Sequence, residues 1–380
     1  MPSTVWLVAA LLGHGALGVE AVNRLHGLGI RRSWVDALTA ACGAAMIGLP
    51  VVAAWQLLSA GSLGAALETY GWVAIAALVL IAVSRGLLRW DPHRDSSANR
   101  PTSVETLDLA AALGEAATGP PLVRAASRLP GNQLLRVAVE HRVIGLERLP
   151  AAWQDLRIAH LTDLHMSGRL GIDYFHALVK RVNAWEPDFV FLTGDLVEHT
   201  PQLEWVAPVF GALRPRVAGH FILGNHDEKV DCPALRRQLV AAGLVDAGTT
   251  PVRYGPPYEG LVICGDERPW FPTVASPPRG IATLTVCLAH TPDRFGSAVA
   301  AGIDLVLAGH CHGGQVCFPL VGPLLCPSRH GVRYAAGTFR RGRTVMHVGR
   351  GTGSLFPLRY GCPPELSLIT LRTEQSVATA

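Results

Sequence analysis

The chain has 380 residues, of which 49% are apolar and only 16% charged, and its formal net charge is +4. A soluble domain typically carries about 25% charged residues. The apolar content excludes disorder as the main state, and so small a positive charge does not mark a nucleic-acid binder.

The charge deficit is concentrated at the start. Residues 1–90 contain eight charged side chains, namely Glu20, Arg24, Arg31, Arg32, Asp36, Glu68, Arg85 and Arg89. Ala37 to Ser59 has 23 residues and no charge, and Thr69 to Leu88 has only Arg85 near its end. Each is long enough for a helix across the roughly 30 Å bilayer core, which needs about 20 apolar residues. Gly61, Ser62 and Gly64 mark the turn between them, and Pro50 is tolerable in a membrane helix. Thr4 to Val19 lacks the basic start of a cleaved signal peptide and reads as a further span running past Glu20. Residues 1–90 are therefore expected to form a transmembrane anchor of two or three helices. The arginines after the first segment (24, 31, 32) and after the third (85, 89, 94) fall on one side. By the positive-inside rule that side is cytoplasmic, and the globular part faces it.

Asp91 to Arg100 is polar and turn-rich, and residues 91–133 read as a juxtamembrane linker with a short helix over Thr106–Ala117. From Leu134 to the end, apolar strand-like runs alternate with helical stretches. Strands are expected at 134–144, 157–162, 189–193, 220–223, 261–264, 284–289, 305–308, 345–348 and 366–371. Helices are expected at 172–184, 203–213, 233–242 and 293–300. The pattern predicts an α/β sandwich with mixed sheets over 134–380. The eight cysteines form no CxxC pair, and several sit in apolar runs as small hydrophobes.

Metal-ligating residue types follow nearly every core strand. Asp163 and His165 come after the first, Asp195 after the second, Asn225, His226 and Asp227 after the third, His290 after a fourth, and His310 and His312 after a fifth. Loops at the carboxyl ends of strands converge in open α/β sheets, so separated motifs can assemble into one site. A mixed oxygen and imidazole set suits manganese, iron or zinc rather than a thiolate-bound structural zinc. A carboxylate bridging two ions suits phosphate ester hydrolysis.

These motifs, Asp163-Leu164-His165, Gly194-Asp195, Gly224-Asn225-His226-Asp227, His290 and Gly309-His310-Cys311-His312, resemble those of the calcineurin-like metallophosphoesterase superfamily. His312-Gly313-Gly314-Gln315 and Pro363-Pro364-Glu365-Leu366 look like its membrane-associated branch. The resemblance implies a four-layer α/β/β/α sandwich. It implies two divalent metal ions, one on Asp163, His165, Asp195 and His312, the other on Asp195, Asn225, His290 and His310. It also implies that His226 serves the leaving oxygen, with Asp227 orienting it. A metal-activated water would hydrolyse a phosphodiester or pyrophosphate. The anchor makes a lipid-linked substrate such as UDP-diacylglucosamine, cleaved by a related branch, an expectation, with soluble nucleotides or phosphomonoesters as the alternative. A non-catalytic scaffold is disfavoured because every ligand position is present.

Cys311, between the two histidines, is expected to lie in an extended segment and point away from the metals. Arg329 and His330 are candidates for phosphate contact. His160 and His199 lie close to motifs. Asp266 and Glu267 follow a strand and are candidates for the cleft, while Trp270 and Phe271, between Pro269 and Pro272, are candidates for an apolar loop touching lipid or substrate, with core packing the favoured role.

Overall fold

The computed structural model describes all residues except 1, 29, 31, 96, 97, 99, 273–282, 320 and 379–380. Arg31 of the basic loop thus lies outside the described residues. The chain forms two compact units, one of residues 1–91 with 319–333, the other of 92–318 with 334–380.

The first unit holds α1 (Thr4–His26), α2 (Arg32–Ala60, with Pro50 inside it) and α3 (Ala65–Leu87). All three are long and apolar enough to cross a membrane. Apolar side chains such as Val5, Ile47, Leu58 and Leu80 are exposed on them, as helices facing lipid require. Trp6 and Trp72 meet edge to face, and His14 Nδ1 lies 2.6 Å from the Tyr70 hydroxyl. Residues 319–333 fold with these helices rather than with the sequence that flanks them. The buried Asn23 amide donates to Leu324 O and accepts from Cys326 N, both at 2.8 Å. Arg85 donates to Pro323 O at 3.1 Å, and Arg333 forms a two-pronged ion pair with Asp91.

The second unit begins where a linker was expected. Residues 91–133 contribute β1 (Ser103–Asp108), α4 (Leu109–Leu113) and α5 (Pro121–Ser127). The helix expected over Thr106–Ala117 starts as a strand, because β1 pairs antiparallel with β2 (Arg136–Leu146) and its end, Asp108, caps α4 through Ala111 N. Leu109, Ala117 and Val123 enter the core, so this stretch is structure and not tether.

Next come β3 (Leu156–Leu161), α6 (Ile172–Ala184), β4 (Phe189–Thr193), α7 (Val206–Phe210), β5 (Ala218–Ile222), α8 (Cys232–Ala241), β6 (Leu244–Asp246), β7 (Val252–Arg253) and β8 (Leu261–Asp266). They are followed by β9 (Leu284–Ala289), α9 (Phe295–Ala301), β10 (Leu305–Ala308), β11 (Cys317–Phe318), then β12 (Gly322–Pro323), which belongs to the first unit, and after it β13 (Gly337–Arg341), β14 (Thr344–Val348), β15 (Glu365–Thr373) and α10 (Glu374–Ala378). One mixed sheet runs β1-β2-β15-β3-β4-β5-β6 and the other β13-β14-β10-β9-β8-β7. Within them β3, β4, β5 and β6 are mutually parallel, as are β8, β9, β10 and β14.

Three apolar layers glue four structural ones. Phe175, Leu178, Val182 and Leu235 pack helices against Val190, Leu192 and Phe221 on one face of the first sheet. Ile158, Phe189, Phe191, Ile263, Val286, Leu305 and Ile369 fill the space between the sheets. Phe295 and Ala298 of α9 cover Val306, Ala308 and Met346 outside the second. Strands buried on both faces explain why β4, β9 and β10 read as continuous apolar runs. This is the expected α/β/β/α sandwich.

Candidate metal centre

The candidate ligands stand where the parallel strands end. Asp163 and His165 follow β3, Asp195 follows β4, Asn225 follows β5, His290 follows β9, and His310 and His312 follow β10. Five of these seven, Asp163, His165, Asp195, His310 and His312, have φ between 47° and 70°. Such backbone costs about 1–3 kcal/mol per residue outside glycine and collects at functional sites. Cys311 corrects the expectation of an extended segment. Its φ of −85° and ψ of −10° put it in a tight turn, and that turn, with positive φ on either side, aims His310 and His312 to the same region.

All seven candidate ligands are buried. They form overlapping groups, one of Asp163, His165 and His312, another of Asp195, His290 and His310, with Asp195 also near His165 and His226. His165 Nε2 lies 2.9 Å from His312 Nε2 and 3.6 Å from Asp195 Oδ2, and His312 Nε2 is 3.7 Å from Asp163 Oδ1. His290 Nε2 lies 3.0 Å from Asn225 Oδ1, 3.3 Å from Asp195 Oδ1 and 3.2 Å from His310 Nδ1. Donor atoms about 2.0–2.2 Å from one ion, at roughly 90–120° to each other, lie about 2.8–3.8 Å apart. The spacings fit that range.

Hydrogen bonding shows what the site is suited to hold. His290 Nδ1 is 2.8 Å from Thr193 O, which only accepts, so Nδ1 carries the proton. In the neutral ring the Nε2 lone pair then faces the oxygens of Asn225 and Asp195. Acceptors meeting acceptors need a positive charge between them, which either a proton on Nε2 or a divalent cation supplies. Backbone donors already hold the carboxylates from outside. His310 N donates to both oxygens of Asp163, and His226 N donates to Asp195 Oδ1.

The ionisation states follow the same logic. Burial pushes the Asp163 carboxyl up to about 6. Burial, reinforced by the Asp195 charge, pushes Asp227 to about 7. Burial opposes ionisation of Asp195 too, but the facing imidazoles, His290 first, hold it well below the carboxylate range. For His290 burial favours the neutral ring, and Asp195 overrides it, raising the group to about 9. Burial keeps His165 at about 3 and His312 well below its usual value, so both rings stay unprotonated, the form that binds metal.

His226 sits beside this centre, its ring 4.8 Å from that of His165. Its Nδ1 faces Glu198 Oε1 at 3.3 Å and Lys229 Nζ at 2.7 Å. The expectation that Asp227 orients it is corrected. The Asp227 carboxylate accepts from the backbone N–H of Leu196, Val197 and Gly224, fixing the loops that carry Asp195 and Asn225. Burial opposes ionisation of Glu198, but its hydrogen bond to His226, with His165 and Lys229 nearby, holds it below the carboxylate range.

Residues 156–314 match the family model for calcineurin-like phosphoesterases. The phosphodiesterase YaeI of Escherichia coli is 30% identical over 223 residues, covering 57% of this chain and 82% of that protein. The chain belongs to the calcineurin-like phosphoesterase family. An uncharacterized metallophosphoesterase of Bacillus subtilis, YkuE, is 27% identical over 59% of this chain and 82% of its own length. A transmembrane protein with metallophosphoesterase domain from Danio rerio is 27% identical over 60% of this chain and 56% of its own. The protein is thus a metal-dependent phosphoester hydrolase with His and Asp clusters suited to divalent ions.

Two residues of the phosphoesterase site, Glu198 and Arg359, escaped the sequence reading, while Trp270, named there as a candidate, is placed at it. Glu198 stands three positions after Asp195 and has no motif of its own among the quoted ones. Arg359, fully buried, donates to His312 O at 2.9 Å and Arg350 O at 2.8 Å, and its Nη2 lies 3.1 Å from His312 Nδ1. It is 47 residues from His312, so no local pattern announces it. Trp270 lays its ring 5.0 Å from His310 and 5.4 Å from His290, while Phe271 stacks under Arg236 instead.

The other candidates have surroundings of their own. Arg329 and His330 are exposed within the unit of the three helices, where Arg329 O accepts from Arg24. His160 bonds Thr193 Oγ1 at 2.8 Å inside the fold, and His199 is exposed. Asp266 and Glu267 are committed to arginines, Asp266 to Arg268 and Arg294, Glu267 to Arg236.

Proposed function

We propose that this phosphoesterase is anchored in a membrane by α1, α2 and α3 and hydrolyses a phosphodiester or pyrophosphate bond on the cytoplasmic side. The observation that carries the chemical part is the pair of buried ligand groups meeting at Asp195. Asp163, His165, Asp195 and His312 would hold one divalent ion, and Asp195, Asn225, His290 and His310 would hold the other. Two ions bound there supply Lewis-acid charge neutralisation and an activated water. The chain's own residues do the rest. Asp195 and Asp227 fix the loops, the buried His165 and His312 imidazoles stay neutral and free to bind metal, and His226, held by Glu198 and Lys229, donates a hydrogen bond or proton at the leaving oxygen.

Three apolar helices and similarity to a transmembrane relative support membrane anchoring, and the arginine distribution supports cytoplasmic orientation. An anchored site favours a lipid-linked phosphate or pyrophosphate. The test is hydrolysis of bis-p-nitrophenyl phosphate by detergent-purified protein with Mn²⁺. Removing groups that only orient ligands commonly costs about 10–100-fold, so D195A and N225A are expected to lose at least about 100-fold. Variants matching an active wild type overturn the assigned centre. A reporter fused after residue 100 that works outside the cytoplasm overturns the orientation. Turnover of soluble nucleotides with none of lipid-linked pyrophosphates overturns the substrate class.

A further inference from the structure

Beside His226, two cations converge on one buried carboxylate. Glu198 Oε2 accepts from Arg169 Nη1 at 2.9 Å, and Oε1 accepts from Lys229 Nζ at 2.6 Å. Glu198 is buried, whereas the side chains of Arg169 and Lys229 are 33% and 30% exposed. One carboxylate is neutralised by one cation, so the trio carries a surplus positive charge at the rim of the site. Arg169 spends Nη1 on Glu198 and Ser167 Oγ. Its Nη2 and Nε make no bond to the described residues. Lys229 spends one donor on Glu198, lies 2.7 Å from His226 Nδ1, and has at least one donor taken by neither. Glu198 also lies 3.7 Å from His165 Nδ1, which ties the pair to the metal centre.

Lysine and arginine held in place with unused donors form an anion subsite, and guanidinium in particular suits phosphate geometry. We infer that Arg169 and Lys229 bind a second phosphate adjoining the one attacked, so that the substrate class is a pyrophosphate diester. This rests on the phosphoesterase reading of the metal centre. Each turnover consumes one water. Its oxygen bonds to the attacked phosphorus, and the bridging P–O bond breaks with its electron pair staying on the leaving phosphate. The two water protons are shared between the two phosphomonoester products and solvent. The leaving phosphate departs from the side that carries His226, Arg169 and Lys229, where its growing charge is stabilised.

The experiment measures competitive inhibition of bis-p-nitrophenyl phosphate hydrolysis by methylphosphonate and by methylenediphosphonate at fixed Mn²⁺. The quantity read is the ratio of the two inhibition constants, in which changes in turnover caused by the Lys229–His226 contact cancel. Comparing proteins at the same metal and inhibitor concentrations also cancels chelation. Wild type is expected to prefer the diphosphonate by roughly tenfold or more. R169M and K229M are each expected to lower the ratio, the double variant to bring it near unity, and K229R to keep most of it. An active wild type with no preference, or a double variant that keeps the full ratio, overturns the subsite alone. A wild type inactive on the diester with Mn²⁺, Fe²⁺ and Zn²⁺ overturns the phosphoesterase reading and the subsite with it.

Discussion

His226 Nδ1 lies 3.3 Å from Glu198 Oε1, while the adjacent Asp227 turns its carboxylate to three backbone N–H groups. Two acids near one histidine therefore have different duties. Glu198→Gln leaves an amide in place of the carboxylate that faces the ring. It is expected to lower kcat roughly 10–100-fold, a part of what general acid catalysis contributes, with KM and melting temperature little changed. Asp227→Asn puts an NH₂ group where one oxygen now accepts from Gly224 N or from Leu196 and Val197 N. It is expected to lower the melting temperature, the mark of lost backbone anchoring. Steady-state kinetics and thermal unfolding of both variants separate the roles, and equal melting losses in the two reject the distinction.

Arg359 and His312 form the other long-range pair. A guanidinium without solvent contact holds His312 O, Arg350 O and Gly353 O and faces His312 Nδ1. Ligand orientation by such outer partners is commonly worth about 10–100-fold in metal affinity. Arg359→Met is expected to weaken metal binding at the Asp163, His165 and His312 side and to spare the His290 and His310 side. Metal content after dialysis should fall from about two ions to about one per chain, the two-ion starting point being that of paired sites. Arg359→Lys, which keeps the charge, should lose less. Unchanged content in a folded Arg359→Met protein refutes the assignment.

These two pairs also show where sequence stops being sufficient. β4, β9 and β10 were legible to the residue because they are buried on both faces, and the ligands after them were legible because strand ends converge. Asp227 was misread because adjacency to His226 says nothing about which way a side chain points in a tight turn. Glu198 and Arg359 act across 28 and 47 residues, a distance that only the sheet order closes. β1 was hidden by its alanine-rich continuation into α4, since its strand identity comes from pairing with β2. Residues 319–333 gave no sign of folding with α1 and α3, because Asn23 is one unremarkable polar residue near a helix end.

The glycines of two motifs are packed against the candidate ligands. A Cβ at Gly224 would lie 2.3 Å from Asp195 Oδ1, and one at Gly309 would lie 2.2 Å from Asp163 Oδ2 and 1.9 Å from Thr162 Oγ1. Gly224→Ala and Gly309→Ala are therefore expected to displace the carboxylates and abolish metal binding at micromolar ion. Overpacking of this kind costs about 1–3 kcal/mol, so the protein should remain folded. Calorimetric Mn²⁺ titration with a circular dichroism control reads both effects. Full metal affinity in either variant would show that the ligand loops tolerate the displacement.

His220 on β5 offers a titration away from the metal ligands. Its Nε2 lies 2.6 Å from the Tyr254 hydroxyl, it is fully buried, and Phe189 and Phe191 flank its ring. Burial pulls its pKa down from 6.5 to about 4. Between those values the unfolded chain binds a proton that the folded chain does not, so stability rises with pH across the window. The contribution is complete above pH 6.5 and is lost as pH falls to about 4. It amounts to at most about 3 kcal/mol at one unit per about 1.4 kcal/mol. His220→Gln keeps a donor or acceptor for Tyr254 and cannot titrate. In metal-free, detergent-solubilised protein, the fall in melting temperature from pH 7 to 4 should be shallower for His220→Gln than for wild type. His160 and His165, both held at about 3 by burial, are among the groups that supply the slope that remains. Parallel curves for the two proteins would mean that His220 is protonated in the fold, or that water reaches it.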